Sequence, residues 1–177
     1  MPADGSDIRA RAAGARDGSA GDGAATERLA RFIAAVMSSR LIDPLEILLE
    51  DDAAIGPLRL RVTERAHELA RCVLEDDDRG ALVAIRLVSA LYPSDAPFDP
   101  PPAWWRSPLG QAVLMRVGHP AAEHVTYELA GAMLAITRQG IHDLVKRGKL
   151  ARHPAGGVTV ASVRARLRVG TQPLSPT

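Results

Sequence analysis

The stretch that most constrains this chain is Val125–Leu150, which reads as two short helices joined by a tight turn. Thr126 is a good N-cap, its side chain placed to accept from the free backbone N–H groups of a helix starting near Tyr127. Leu129, Ala130, Met133 and Leu134 then recur on one apolar face at helical spacing. After Ala135 and Ile136 the pattern restarts behind a second cap, Thr137. The helix 137–147 that follows points Ile141, Leu144 and Val145 inward and Arg138, Gln139, His142, Asp143, Lys146 and Arg147 outward. Gly148 suits the left-handed position that ends it. Two helices so short and so close can bury their apolar stripes only against each other and a third element. The polar face of the second is therefore left to solvent.

The order Thr126-Tyr127-Glu128-Leu129-Ala130, then Leu134-Ala135-Ile136-Thr137-Arg138-Gln139, then Leu144-Val145-Lys146-Arg147-Gly148-Lys149-Leu150 resembles the excisionase-type, MerR-like helix-turn-helix. In that family a threonine starts the first helix, a serine or threonine caps the recognition helix, and a basic-Gly-X-Leu end leads into a wing. The likeness covers about a quarter of the chain. This sequence departs from the pattern at Ala135, where such turns usually carry glycine, and at Gly140, which costs the second helix up to about 1 kcal/mol relative to alanine. The resemblance implies a winged helix-turn-helix bound to double-stranded DNA, with the second helix in the major groove. Arg138 and Gln139, at the start of that helix, would then reach base edges, each worth about 1–3 kcal/mol of discrimination. His142 would touch a base or a phosphate, and Lys146, Arg147 and Lys149 would position the helix on phosphates. Asp143 opposes DNA and is placed to pair with Arg147 four residues on.

Beyond Leu150, the segment 151–160 reads as a β-hairpin with a Gly156-Gly157 turn. In the resembling family this is the wing, which would make Arg152 and His153 phosphate or minor-groove contacts. Ser162 caps a last helix with Val163 and Leu167 inward and Arg164, Arg166 and Arg168 toward solvent. From Val125 to Arg168 there are eight lysines and arginines against Glu128 and Asp143, about +6 in a chain whose whole charge is +1. The remainder is acidic by about 5 charges, which discourages adhesion of its surface to nucleic acid.

Residues 1–23 hold almost no large apolar side chain and read as a disordered tail lacking the apolar core of a secretory signal; 169–177 reads as a second tail. Residues 24–92 turn helical, with Leu29, Phe32, Ile33 and Val36 on one helix, Leu45, Leu48 and Leu49 on a second, Leu69, Cys72 and Val73 on a third, and Leu82, Ile85, Val88 and Leu91 facing inward on a fourth. Breaks are expected at Asp43-Pro44, Gly56-Pro57, the run Glu75–Asp78 and Tyr92-Pro93. This stretch is expected to be a helical bundle serving a homodimer or another protein. Residues 93–106 form a proline-rich connector. Its Trp104 and Trp105 either anchor a partner or plug the seam between bundle and DNA-binding part. The domain 107–168 begins with a supporting helix, Pro108 in its first turn and Leu109, Val113 and Val117 inward.

Enzyme chemistry finds little support. Cys72 is the only cysteine, which excludes a disulfide within the chain, and its apolar setting suits a buried thiol. His67, His119, His124, His142 and His153 lack metal-ligand spacing, and there is no phosphate-binding glycine loop or transmembrane run. The expectation is a mostly α, cytoplasmic, nucleoid-associated protein without cofactor or metal, which meets double-stranded DNA and no membrane. It would act as a sequence-specific transcriptional regulator. The alternatives are an excisionase-like architectural factor of a mobile element and a protein-interaction adaptor that does not bind DNA.

Overall fold

The computed structural model describes the backbone of residues 6–171, and side chains over 21–169 apart from residue 77. The fold is mostly helical, with one small antiparallel sheet of two strands. No described helix is long and apolar enough to cross a membrane. The chain divides into two compact units, one ending at Arg71 and the other beginning at Cys72.

In the first unit, α1 (Ser6–Met37) begins well before the expected helix start near Ala24, and residues 1–5 of the expected tail lie outside the described residues. The expected break at Asp43-Pro44 does not occur. Pro44 has no N–H and its ring crowds the carbonyl four residues back, and the helix answers by widening. A π turn over Ser38–Ile42, in which Asp43 N–H reaches Ser38 O, carries it without interruption into α2 (Asp43–Leu49). The chain reverses at Glu50, which is left-handed (φ 51°). Asp51 Oδ1 then accepts from the N–H groups of Ala53 and Ala54 at the start of α3 (Asp52–Glu75). This helix runs through Gly56-Pro57, because a proline near a capped N-terminus forfeits a single interior bond. Arg59 reaches back to Asp43 and Glu46, and His67 to Glu27, so the first part of α3 returns antiparallel to α1 and α2. Leu29, Ala30, Ile33, Ile42, Ile55, Ala66 and Ala70 are buried. Leu45, Leu48 and Leu49 are exposed, and α2 has no buried residue.

The second unit starts with the last turn of α3 and takes in α4 (Asp77–Leu91), which the sequence reading assigned to the N-terminal bundle. Asp76 caps α4 by accepting from Arg79 N–H at 2.8 Å. Its buried face is Ala84, Leu87, Val88 and Leu91; Leu82 and Ile85, expected inward, lie on the exposed side. The proline-rich stretch is no simple spacer. Four of the six aromatic residues of the chain meet there edge to face, Tyr92 and Phe98 against Trp104 and Trp104 against Trp105, on the short helix α5 (Pro102–Trp105). Both tryptophans are buried inside this unit and so are not exposed anchors for a partner.

Ser107 caps α6 (Pro108–Arg116), the expected supporting helix, with Leu109, Val113 and Leu114 buried. Two arginines close helix ends by satisfying terminal carbonyls that have no partner within the helix. The Arg116 guanidinium donates to Val73 O and Leu74 O at the end of α3, and Arg164 Nε donates to Met115 O at 2.8 Å at the end of α6. Arg164 was expected to face solvent. It is half-buried, and burial, followed by the nearby charges of Arg168 and Arg116, pushes its pKa below the usual arginine value.

Candidate nucleic-acid interface

The strand β1 (His124–Val125) leads into α7 (Tyr127–Leu134) through Thr126, whose side-chain oxygen accepts from Leu129 N–H at 3.2 Å. Ala135 is left-handed (φ 54°), and the bonds from Ile136 N–H to Gly131 O and from Ala135 N–H to Ala132 O close the helix end. The turn is tight because position 131 has no side chain: a Cβ there would stand 2.8 Å from the carbonyl oxygen of Ile136. Thr137 caps α8 (Arg138–Lys146), accepting from Gly140 N–H at 3.1 Å. Gly140 itself meets nothing closer than ordinary contact, so no neighbour within the chain requires a glycine there.

Of the three α8 residues expected inward, only Ile141 is fully buried; Leu144 and Val145 are half-buried. Arg138, Gln139, His142, Asp143, Lys146 and Arg147 are exposed, as are Lys149 and Arg152. The expected hairpin exists in part. Arg152 forms an antiparallel bridge with Val158, and β2 (Val158–Thr159) pairs on its other side with β1 in the register Val125–Val158. The returning strand is thus tied to the residues that precede α7. Helix α9 (Val160–Thr171) then carries Val163 into the core. It extends past the expected end at 168, and residues 172–177 lie outside the described residues.

These elements enclose an open groove of about 620 Å³ lined by Thr126, Tyr127, Glu128, Arg138, His142, Val145, Lys146, Arg152 and Gly157. Of the ten residues expected at the DNA, which are the eight contacts named above and the two caps Thr126 and Thr137, five line it: Thr126, Arg138, His142, Lys146 and Arg152. Three are strong cations, and Glu128 is the single carboxylate on the wall. The other five do not. Thr137 is spent on capping; Gln139 donates to Asp143 Oδ1 at 3.4 Å, and the expected Asp143–Arg147 ion pair is not formed among the described residues. Arg147 lines a second depression, beside Arg166, Leu144 and Leu167. Lys149 follows the turn at Gly148, outside the groove. His153 is half-buried, its ring stacked on that of His124 at 4.1 Å, and its Nδ1 accepts from Ala155 N–H.

Sequence reasoning missed Tyr127, Val145 and His124. Tyr127 stands edge-on to His142 at 6.2 Å and walls the groove; its place directly after the Thr126 cap was the available signal. Nothing in local spacing marks His124, which reaches His153 only through the strand pairing. Among the described residues no group of three or more His, Cys, Asp or Glu is placed to hold a metal ion.

Comparison of the chain with protein-family models, curated proteins and solved structures finds no match.

Proposed function

We propose that residues 124–171 act as a winged helix-turn-helix that reads double-stranded DNA, with α8 in the major groove and the loop 151–157 as the wing on the flanking backbone, and that the protein is a sequence-specific transcriptional regulator. The observation that carries this reading is the groove between α8 and the loop, where Arg138, Lys146 and Arg152 converge from two elements with Glu128 as the one opposing charge. A surface that carried cations only to stay solvated would not need to gather them across a concavity. Arg138 sits in the first turn of α8, the end of a recognition helix that reaches base edges, while Lys146 sits in the last turn, where phosphate contact is expected. Gln139 is turned toward Asp143 and contributes less than its position suggests.

The test is a pair of substitutions assayed on a panel of duplexes. Arg138→Ala lowers discrimination between preferred and altered sites by about tenfold or more, in keeping with the loss of one bidentate base contact. Lys146→Ala weakens all duplexes by a similar factor and leaves their ranking intact. The reverse pattern would mean that α8 lies in the opposite sense.

A further inference from the structure

Among its described residues, the first unit has more large apolar side chains outside than inside. Leu29, Ile33, Ile42 and Ile55 are its large buried ones, whereas Leu41, Leu45, Ile47, Leu48, Leu49, Leu58 and Leu60 are exposed, Ile47 by 74% and Leu48 by 77%. Four of these, at positions 41, 45, 48 and 49, have the spacing that sets leucines on one side of a helix, with Ile47 on the other side. The π turn before Pro44 keeps this segment continuous with α1, so the stripe belongs to a long helix and not to a loop. Together, α1–α2 and the returning first part of α3 make a single helical hairpin, and one layer of helices cannot enclose a core.

We propose that the leucine stripe Leu41–Leu45–Leu48–Leu49 is a self-association surface and that its occupant is the same stripe of a second copy, packed antiparallel about a twofold axis through Leu45. Two hairpins joined in this way complete a four-helix bundle, which covers a face that a lone hairpin exposes. The charges around the stripe fit the antiparallel sense. Its beginning is flanked by Arg40 and its end by Glu50, Asp51 and Asp52. A twofold axis at Leu45 sets Leu41 against Leu49 of the second copy and the cationic end against the acidic end. A parallel pairing would instead bring the two acidic ends together. A twofold contact uses one patch twice, so the assembly closes at a dimer. This inference rests on the first unit alone and is independent of the DNA reading.

Sedimentation of the full chain at micromolar concentration is expected to show a dimer that dissociates on dilution, and Leu48→Glu, at a position already in water, is expected to give the 18.8 kDa monomer with unchanged helical circular dichroism. In a Cys72→Ser background, Leu45→Cys, at the axis, is expected to cross-link on mild oxidation, and Thr63→Cys, exposed but outside the stripe, to remain monomeric on a non-reducing gel. A wild-type chain that stays monomeric, a dimer indifferent to Leu48→Glu, or equal cross-linking at the two cysteines would each overturn the proposal.

Discussion

Gly157→Ala is the perturbation whose consequence the structure fixes most closely. Gly157 is left-handed (φ 72°), and a Cβ there would stand 2.1 Å from the carbonyl oxygen of Val125 and 2.9 Å from its carbon. Non-bonded carbon and oxygen approach to about 3.3 Å in the closest regular contacts, so the loop or β1 must move by about 1 Å. Neither obstacle is a side-chain end that can rotate away; both are backbone. The left-handed backbone costs alanine about 1–2 kcal/mol, and forced overpacking about 1–3 kcal/mol more. Reduced freedom of the unfolded chain returns somewhat under 1 kcal/mol. The expected net loss is about 3 kcal/mol. Gly148→Ala supplies the control: Gly148 is also left-handed (φ 66°), but nothing lies within 4 Å of its would-be Cβ, so it should lose only about 1 kcal/mol. Urea unfolding followed by tryptophan fluorescence suits the comparison, because both tryptophans are buried in the second unit and report on it alone. Equal losses for the two variants would refute the argument that the loop is held against β1 by backbone contact.

Two further outcomes follow from the same unit. Ala135 adopts a left-handed conformation in the turn between α7 and α8 that glycine adopts without penalty, so Ala135→Gly should stabilise the second unit by about 1 kcal/mol, read as a higher urea midpoint at unchanged slope; a lower midpoint would show that the turn does not need this conformation. His119 is half-buried, rests against Trp105 at 5.0 Å and accepts from Ala121 N–H through Nδ1. Burial lowers its pKa below the usual histidine value, against a smaller opposing pull from Asp99. The folded state therefore resists protonation that the unfolded chain accepts, and stability present above about pH 6.5 is lost progressively as pH falls below it. His119→Phe should flatten that acid limb, and an unchanged limb would assign it to other groups.

The two capped helices and their turn were legible in the sequence because caps, apolar spacing and the residue after the helix act locally: Thr126, Thr137 and Gly148 do what their types and positions imply. The supporting helix behind Ser107-Pro108 was legible for the same reason. What escaped was non-local. Whether Pro44 and Pro57 end a helix depends on a π turn in one case and a capped start in the other, and neither is encoded by the proline itself. Arg164 looks like one more solvent cation until α6 brings two carbonyls to it. In α4, periodicity identified an apolar helix but assigned Leu82 and Ile85 to the wrong side, because a helix apolar over more than half its surface does not announce which part is covered. The groove was half-legible. Arg138, His142 and Lys146 share a face by spacing alone, whereas Arg152 joins them only through its bridge to Val158.

The central claim is tested most directly by selecting bound sequences from a random duplex pool with the full-length protein, followed by a salt titration on the winning site. The account predicts one recurrent motif. It also predicts affinity that falls with a log–log salt slope of about −2 per bound protomer, at about −0.9 for each of the phosphates met by the groove cations Lys146 and Arg152. A pool that enriches no motif, with binding indifferent to salt, would contradict it.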